Sequence, residues 1–457
     1  MFGKLKRIHF VGIGGVGMSG IALVLRNLGF EVSGSDLRAT DLTKSLIQQG
    51  IDVFYGHRPE NCLAADVLVY SSAIAKDNIE LITAQTNRTP VIPRAEMLAE
   101  LMRMKYSIAI SGSHGKTTVT SMISTVLEKA GFDPTTVIGG RILGKEAGAK
   151  LGKSEYLVAE ADESDRSFLL LYPTIAVITN IEREHLDYYK DLADIKRAFV
   201  KFANKVPFYG TVILCADSPA VRQICPKLKR PKITYGFSRK AKFNATDIQL
   251  KPFSSEFLLV VEGKKIDRFG LNVPGIHNVE NSLAAIAVAK QLDIGLDTVK
   301  AGLNEFSGVH RRMERIGEKS EIKIFDDYAH HPTEIQVTLR ALRNAFPKNR
   351  LIGIFQPHRY TRTKFLADDF GACFSDCDLL IITEIYAASE PSIPGVSAML
   401  IVDAIKAHNS SVPRILYIED RTKICGELLP QLREGDVVIT LGAGNIWEIG
   451  KEILSRL

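Results

Sequence analysis

No cysteine pair of the C-x-x-C kind occurs in this chain: Cys62, Cys215, Cys225, Cys373, Cys377 and Cys425 are scattered, six in 457 residues. That spacing speaks against a zinc site and a disulfide framework, and it fits a reducing compartment. Low-complexity tracts and internal repeats are also missing, so neither a solenoid nor a disordered tail is expected. No apolar run approaches membrane-spanning length. The segment MFGKLKRIHFVGIG has a basic flank but passes straight into a strand and a glycine turn, without the hydrophobic stretch and small-residue cleavage site of an export signal. A cytoplasmic protein that binds no membrane is therefore expected. Lysine and arginine are not gathered in one block, so the net charge of +6 fits an anionic small-molecule substrate, and no nucleic acid partner is expected.

What is present is ordinary globular composition, 46% hydrophobic and 24% charged, in a chain too long for one hydrophobic core. Short β-branched runs alternate with helical patterns almost throughout, which predicts an α/β fold in three domains. The first, residues 1–96, is a doubly wound unit. The second, 97–308, opens with a helix, carries strands such as YLVAEAD and TIAVITNI, and ends on the helix in HNVENSLAAIAVAKQL. The third, 309–457, alternates strand and helix with a mainly parallel sheet.

The strongest local signal is SIAISGSHGKTT, Ser107 to Thr118, where an apolar run breaks into a glycine loop before a helix. Backbone N–H groups of Gly112, Ser113, His114, Gly115, Lys116, Thr117 and Thr118 would cradle phosphates, with the lysine as a point charge and Thr117 reaching a divalent cation. The usual P-loop pattern needs glycine at position 110, where this chain has Ile110. A second glycine loop, Gly12, Gly14, Gly15, Val16 and Gly17, follows the first strand and precedes a helix, with Asp36 ending the next strand. Pyrophosphate at a helix N-terminus and an acid near a ribose suit NAD and a UDP-sugar equally. An NAD-dependent oxidoreductase and a nucleotide-hydrolysing switch thus stand as alternatives at this point.

Two further groups carry chemistry. Glu160 in EADESD and His185 in NIEREH fall just beyond strand ends, where α/β sheets bind ligands. Magnesium favours oxygen donors, which makes Thr117 and Glu160 the natural pair, while His185 implies a second metal. Near the third domain lie His310, Arg311 and Arg312, then Asp326, Asp327, Tyr328, His330 and His331, then Arg359 and Arg362 in QPHRYTRTK. Two arginines three apart at a helix start make an anion clamp.

In this order, GIGGVGMSGIA, GSHGKTT, EADESD, HNVENSLAA, HRRMERIG, DDYAHHPTE and HRYTRT resemble the Mur ligases of peptidoglycan synthesis, across nearly the whole chain. The resemblance implies an N-terminal Rossmann-like domain for a UDP-sugar, with Ser71 and Ser72 joining the glycine loop, a central P-loop ATPase and a C-terminal Rossmann-like domain for the amino acid. It implies ATP with Mg²⁺, or Mn²⁺ in its place, with Thr117 and Glu160 holding one cation and Glu160 with His185 a second. Lys116 would hold the β/γ-phosphates, His277, Asn278 and Asn281 would line the adenine pocket, Arg312 would meet the γ-phosphate and Asp327 the ribose. Tyr328, His330, Arg359 and Arg362 would surround the substrate carboxylate and the incoming amino acid. HRYTRT and DDYAHHPTE favour the member joining L-alanine to UDP-N-acetylmuramate, as monomer or homodimer, over the one adding recycled tripeptide. Because an acyl phosphate hydrolyses in water, an open form without substrates and closure of the third domain over the reactants are expected.

Overall fold

The computed structural model describes residues 5–71, 73–139, 143, 149–185, 188–388, 390–408, 412 and 414–457. The expected site residue Ser72 lies outside them. Three sheets organise the chain. The first is wholly parallel, in the order β3-β2-β1-β4-β5, built from β1 (Arg7–Val11), β2 (Glu31–Asp36), β3 (Asp52–Tyr55), β4 (Val67–Tyr70) and β5 (Val91–Pro93). Its strand order reverses at β1, whose C-terminal end carries the first glycine loop and the Val16–Asn27 helix. Ligands of open parallel sheets bind at such a reversal.

The second sheet has ten strands. A parallel centre is formed by β6 (Tyr106–Ser111), β7 (Thr135–Val137), β9 (Tyr156–Glu160), β10 (Ile175–Ile178), β11 (Thr211–Cys215) and β12 (Lys232–Gly236). The two-residue β8 (Ala149–Lys150) pairs antiparallel with β7 at one edge. At the other edge run β13 (Phe243–Leu250), β14 (Ser255–Val261) and β15 (Lys264–Leu271), where the sequence predicts only short strands between turns. These strands reach 7 or 8 residues because alternate positions such as Phe257 and Leu259 pack inward, while the charged residues that hide the pattern face solvent. Strand β6 lies between β9 and β10, so the loop after it, the end of β9 and the loop after β10 converge.

The third sheet runs β16-β17-β21-β18-β19-β20. Its members are β16 (Glu314–Lys319), β17 (Ile322–Asp327), β18 (Leu351–Phe355), β19 (Leu379–Ile382), β20 (Ile415–Tyr417) and β21 (Val437–Leu441). All pairings are parallel except β16 with β17. Strand β16 escapes sequence reading because ERIGEK has no apolar alternation; as an edge strand it buries no residue fully.

Apolar clusters cover both faces of the third sheet, whereas one continuous core joins the first two sheets, running from Ile8, Met18 and Ile21 to Val137, Leu157 and Phe199. Among the described residues no helix is long and apolar enough to cross a membrane.

Candidate active site

Ile110 is a fully buried residue of β6, paired with Val177 on one side and Glu160 on the other. The position that a longer phosphate loop gives to glycine here belongs to the core, and the loop starts only at Gly112. Gly112 has φ +142, and a Cβ there would lie 2.1 Å from Thr179 Oγ1. Gly115, at φ +82, leads into the Lys116–Lys129 helix, whose unpaired N–H groups face the loop. Thr179 Oγ1 donates to the His114 carbonyl at 2.6 Å, and the His114 N–H donates to Asn180 Oδ1 at 2.8 Å. The loop thus takes its shape from the end of β10, a partnership that sequence spacing does not reveal. Gly112→Ala is expected to cost at least ~3 kcal/mol and to abolish nucleotide binding, since both the backbone region and the Cβ position are refused; thermal melting with a nucleotide titration checks it, and a fully stable, binding variant would refute the account.

Lys116 Nζ contacts Glu163 Oε1 at 2.9 Å and the carbonyls of Gly112 and Ser113 at 2.5 and 3.2 Å. Burial works against its charge, but Glu163 and Asp162 outweigh this and hold it protonated. His114 sits between Glu182 Oε2 at 3.4 Å and Glu334 Oε1 at 3.2 Å. Against the opposing effect of burial these carboxylates lift it to about 10, so it is an imidazolium at neutral pH.

Glu160 closes β9, accepts the Gly139 N–H at 2.9 Å and takes a hydrogen bond from Thr117. Burial, partly offset by these donors and by Lys116, raises its carboxyl. A hydroxyl and a carboxylate at the phosphate loop suit a hard divalent cation. His185 Nε2 lies 3.7 Å from both Glu163 and Glu184, and these three residues offer ligand atoms within 4.8 Å of one another. Glu160 is outside that group, so the carboxylates beside His185 are Glu163 and Glu184, neither of which motif reading singled out.

A cleft of about 570 Å³ opens from the phosphate loop toward the third sheet. Thr117 and Thr118 line it on one side, His277, Asn278 and Asn281 on another, and Arg312 and Asp327 on a third. His277 and the two asparagines fall on the first turns of the Ile276–Gln291 helix, and burial together with Arg312 lowers His277 to about 4. Arg312 Nη1 reaches Glu334 Oε1 at 3.2 Å, and its guanidinium lies 5.3 Å over the Tyr328 ring. Asp327 accepts from Met313 N, Ala329 N and Thr338 Oγ1 within 3.0 Å, and burial lifts it to about 6 despite Arg312. Arg311, by contrast, pairs with Asp326 at 2.9 Å and binds the carbonyls of Gly442 and Gly444, which makes it a tie within the third segment.

Glu334 gathers the seam. It accepts the His330 N–H at 3.1 Å and stands at the third position of the Pro332–Ala345 helix, capped by His331. HPTE reads as a capping box, which is the one sequence signal that could have found it. Thr333 Oγ1 donates to Glu182 Oε2 at 2.7 Å, and Arg362 Nη2 donates to Glu184 Oε1 at 3.2 Å. The third segment is therefore closed on the second. His330 Nδ1 lies 2.9 Å from the Tyr328 carbonyl, which assigns its proton to Nδ1 and leaves a lone pair on Nε2. Burial and Arg362 lower His330 to about 4. Arg359, just before the Tyr360–Phe365 helix, lies 3.7 Å from Glu390, and it lines one small hollow with Arg362, Glu184 and His185. The two arginines share that hollow but pair with different carboxylates.

At the first sheet, the Gly14 N–H donates to Asp36 Oδ2 at 2.8 Å, and a Cβ on Gly14 would meet the same oxygen. Gly12, at φ +80, faces Ser71, while Gly15 and Val16 open the helix and Gly17 leaves room for Arg94 Nη1. Arg94 lies 3.9 Å from Asp162, a charge that also acts on Lys116, so Arg94 links the two glycine loops. Beneath, Ser35 accepts the Gly12 and Ile13 N–H groups on its carbonyl and gives its hydroxyl to the fully buried Glu80 at 2.5 Å. Asn61 and the Arg58 N–H also donate to Glu80. Burial opposes ionisation there, yet His9, Ser35 and Asn61 bring the carboxyl from 4.5 down to about 2. A lowered folded pKa contributes stability above the unfolded value and loses it as pH falls through the window from 4.5 to about 2. Glu80→Gln is expected to cost ~2 kcal/mol at pH 7 and to flatten the acid limb of stability in that window; urea melts at both ends check this, and an unchanged acid limb would refute it.

Fold and site together define a phosphate-handling α/β enzyme of three sheets, in which the third segment closes over a nucleotide-sized cleft. The chain belongs to the Mur ligase family: the Mur ligase family catalytic domain matches residues 7–106, the Mur ligase middle domain 110–289 and the Mur ligase glutamate ligase domain 311–444. It is 52% identical to the UDP-N-acetylmuramate–L-alanine ligase of Geobacter sp. (strain M21), covering all of this chain and 99% of that protein. It is 50% identical to the enzyme of that name from Myxococcus xanthus, over 99% of this chain and 95% of that one. The crystal structure of UDP-N-acetylmuramate-alanine ligase from Thermotoga maritima superposes with a TM-score of 0.83 at 29% identity over 99% of both chains. A murein peptide ligase from Psychrobacter arcticus follows at 0.73 and 25% over 98% of both chains.

Proposed function

We propose that this chain is the ATP-dependent ligase that joins L-alanine to the carboxylate of UDP-N-acetylmuramate, in the cytoplasm and in the service of peptidoglycan synthesis. The observation that carries the reading is the closed seam, in which Glu334, Thr333 and Arg362 of the third segment meet His114, Glu182 and Glu184 around the phosphate loop. Such a seam excludes water where an activated acyl group would hydrolyse. Identity near 50% over full length to ligases of that name supports the substrate pair over recycled tripeptide.

The muramoyl carboxylate attacks the γ-phosphorus, the bond to ADP breaks, and an acyl phosphate forms. The alanine amine then attacks the acyl carbon, and phosphate leaves from the tetrahedral intermediate as the amine gives up a proton. Lys116 and Arg312 hold charge opposite the transferred phosphoryl group, and the N–H groups from Gly112 to Thr118 fix its position. Asn278, Asn281 and His277 hold the base, and Asp327 holds the ribose. Tyr328, His330, Arg359 and Arg362 surround the carboxylate and the amino acid, with His330 Nε2 free to accept a hydrogen bond from the amine. Thr117 and Glu160 would supply oxygen donors to Mg²⁺, the Glu163–Glu184–His185 group would offer a second set, and the cation would offset phosphoryl charge.

ADP release measured with UDP-N-acetylmuramate and each amino acid or tripeptide in turn tests the reading. Turnover is expected only when nucleotide sugar and L-alanine are both present. Turnover with tripeptide in place of alanine, or hydrolysis independent of the acceptor, would overturn it.

A further inference from the structure

We propose that the end of the second sheet opposite the phosphate loop is a docking surface for an anionic phospholipid bilayer, tipped by Phe208 and Tyr209. Five neighbouring strands, in the order β12-β11-β10-β6-β9, are parallel, so the segments leading into them all lie at this end, while the phosphate loop leaves β6 at the other. In the same order these segments are residues 225–231, 204–210, 170–174, 103–105 and 151–155. They are tied to one another. Arg230 Nε donates to the Val206 carbonyl at 2.5 Å, the Thr211 N–H to the Thr174 carbonyl at 3.2 Å, and Lys105 Nζ to the Ser154 carbonyl at 2.5 Å.

Charge is the first observation. The five segments hold seven lysines and arginines, Arg103, Lys105, Lys153, Lys205, Lys227, Lys229 and Arg230, against one acid, Glu155. Seven less one leaves +6, as large as the net charge of the whole chain. Among the described residues only Arg103 of the seven has an acid at ion-pair distance, Glu100 at 2.6 Å. Asp133, in the segment before β7, is taken by Lys150 at 2.7 Å. The sequence shows no basic block because these cations are spread from position 103 to 230, and parallel strand pairing gathers them.

Apolar exposure at the same end is the second. Leu170, Tyr172, Phe208 and Tyr209 are 40%, 48%, 83% and 66% exposed, and Phe208 is the most exposed large hydrophobic side chain among the described residues. Phe208 and Tyr209 stand edge to face at 5.3 Å, and Lys205 and Arg103 lie over the Tyr172 ring at 4.1 and 5.4 Å. Leucine and phenylalanine suit the acyl side of a bilayer surface, tyrosines its headgroup level, and lysines and arginines its anionic lipids. A second copy of the chain would set like charge against this face, which argues against it as the occupant. The expectation of no membrane contact rests on the lack of a spanning run, which a peripheral patch does not need. Docked this way, the phosphate loop is turned away from the bilayer.

The test is vesicle flotation of the full chain, which does not depend on the ligase reading. The natural chain is expected to float with vesicles of phosphatidylcholine and phosphatidylglycerol in equal parts, to stay behind with phosphatidylcholine alone, and to be released by salt. Phe208→Ser with Tyr209→Ser, and separately Lys227→Glu with Lys229→Glu, are each expected to weaken binding at least about 10-fold. Circular dichroism and turnover without lipid are expected to be unchanged in both, since these side chains are exposed and far from the phosphate loop. No flotation of the natural chain, or full binding by the serine variant, which would reduce the surface to charge alone, overturns the proposal. Tighter binding to a single-stranded oligonucleotide than to the vesicles also overturns it.

Discussion

Lys116→Ala is expected to lower kcat at least about 1,000-fold while leaving UDP-N-acetylmuramate affinity within about 2-fold. The lysine is the cation of the phosphate loop, and the first glycine loop, where the nucleotide sugar is expected, lies on another sheet. The substitution also strands Glu163, which is only 3% exposed and 2.9 Å from Lys116 Nζ. Removing one partner of a buried pair costs about 3–5 kcal/mol, so activity and stability fall together. The double variant Lys116→Ala, Glu163→Gln separates them: melting temperature is expected to recover and ADP release is not. Product formation by Lys116→Ala at ordinary rates would remove the phosphate-loop assignment.

Arg362→Ala is expected to lower kcat/KM by about 100- to 1,000-fold. Its guanidinium leaves the third segment to meet Glu184 Oε1 at 3.2 Å, and the two side chains are 10% and 7% exposed. Glu184 is held well below the usual carboxylate range, against the effect of burial, by His185, His114 and Arg362. Loss of the arginine thus withdraws a closing contact and a charge from the hollow where Arg359 and His185 also lie. Truncating one side of a buried charged pair costs about 2–5 kcal/mol, and about 1.4 kcal/mol is one decade in rate. Glu184→Gln is expected to produce a similar loss, and the double variant little more than either single change, because both remove one interaction. Steady-state kinetics with a double-mutant cycle checks this; additive losses, or a single-variant loss below about 3-fold, would show that the pair does not latch the seam.

Residues that act through contiguous backbone were legible before any fold was known. A phosphate cradle needs glycines and a lysine at fixed offsets, so Gly112 to Thr118 and Gly12 to Gly17 announce themselves. Residues that act as partners were not. Glu163, Glu182 and Glu184 look like ordinary surface acids in EADESD and NIEREH, yet each faces a cation from a distant segment. Thr179 and Asn180 look like the end of a strand, yet they shape the phosphate loop. His185 was legible as a ligand and not as a neighbour of Glu163, because the offset between the ends of β9 and β10 is set by sheet register.

The sequence by itself determined the alternation of strand and helix, both glycine loops, the family and with it the chemistry, since these rest on local periodicity and on ordered motifs. Only the tertiary structure decided why Ile110 stands where a longer loop has glycine, which carboxylate each cation meets, and that the third segment is closed on the second. The physical reason is common to all three. Each depends on the strand order of a sheet, which brings together side chains from distant parts of the chain.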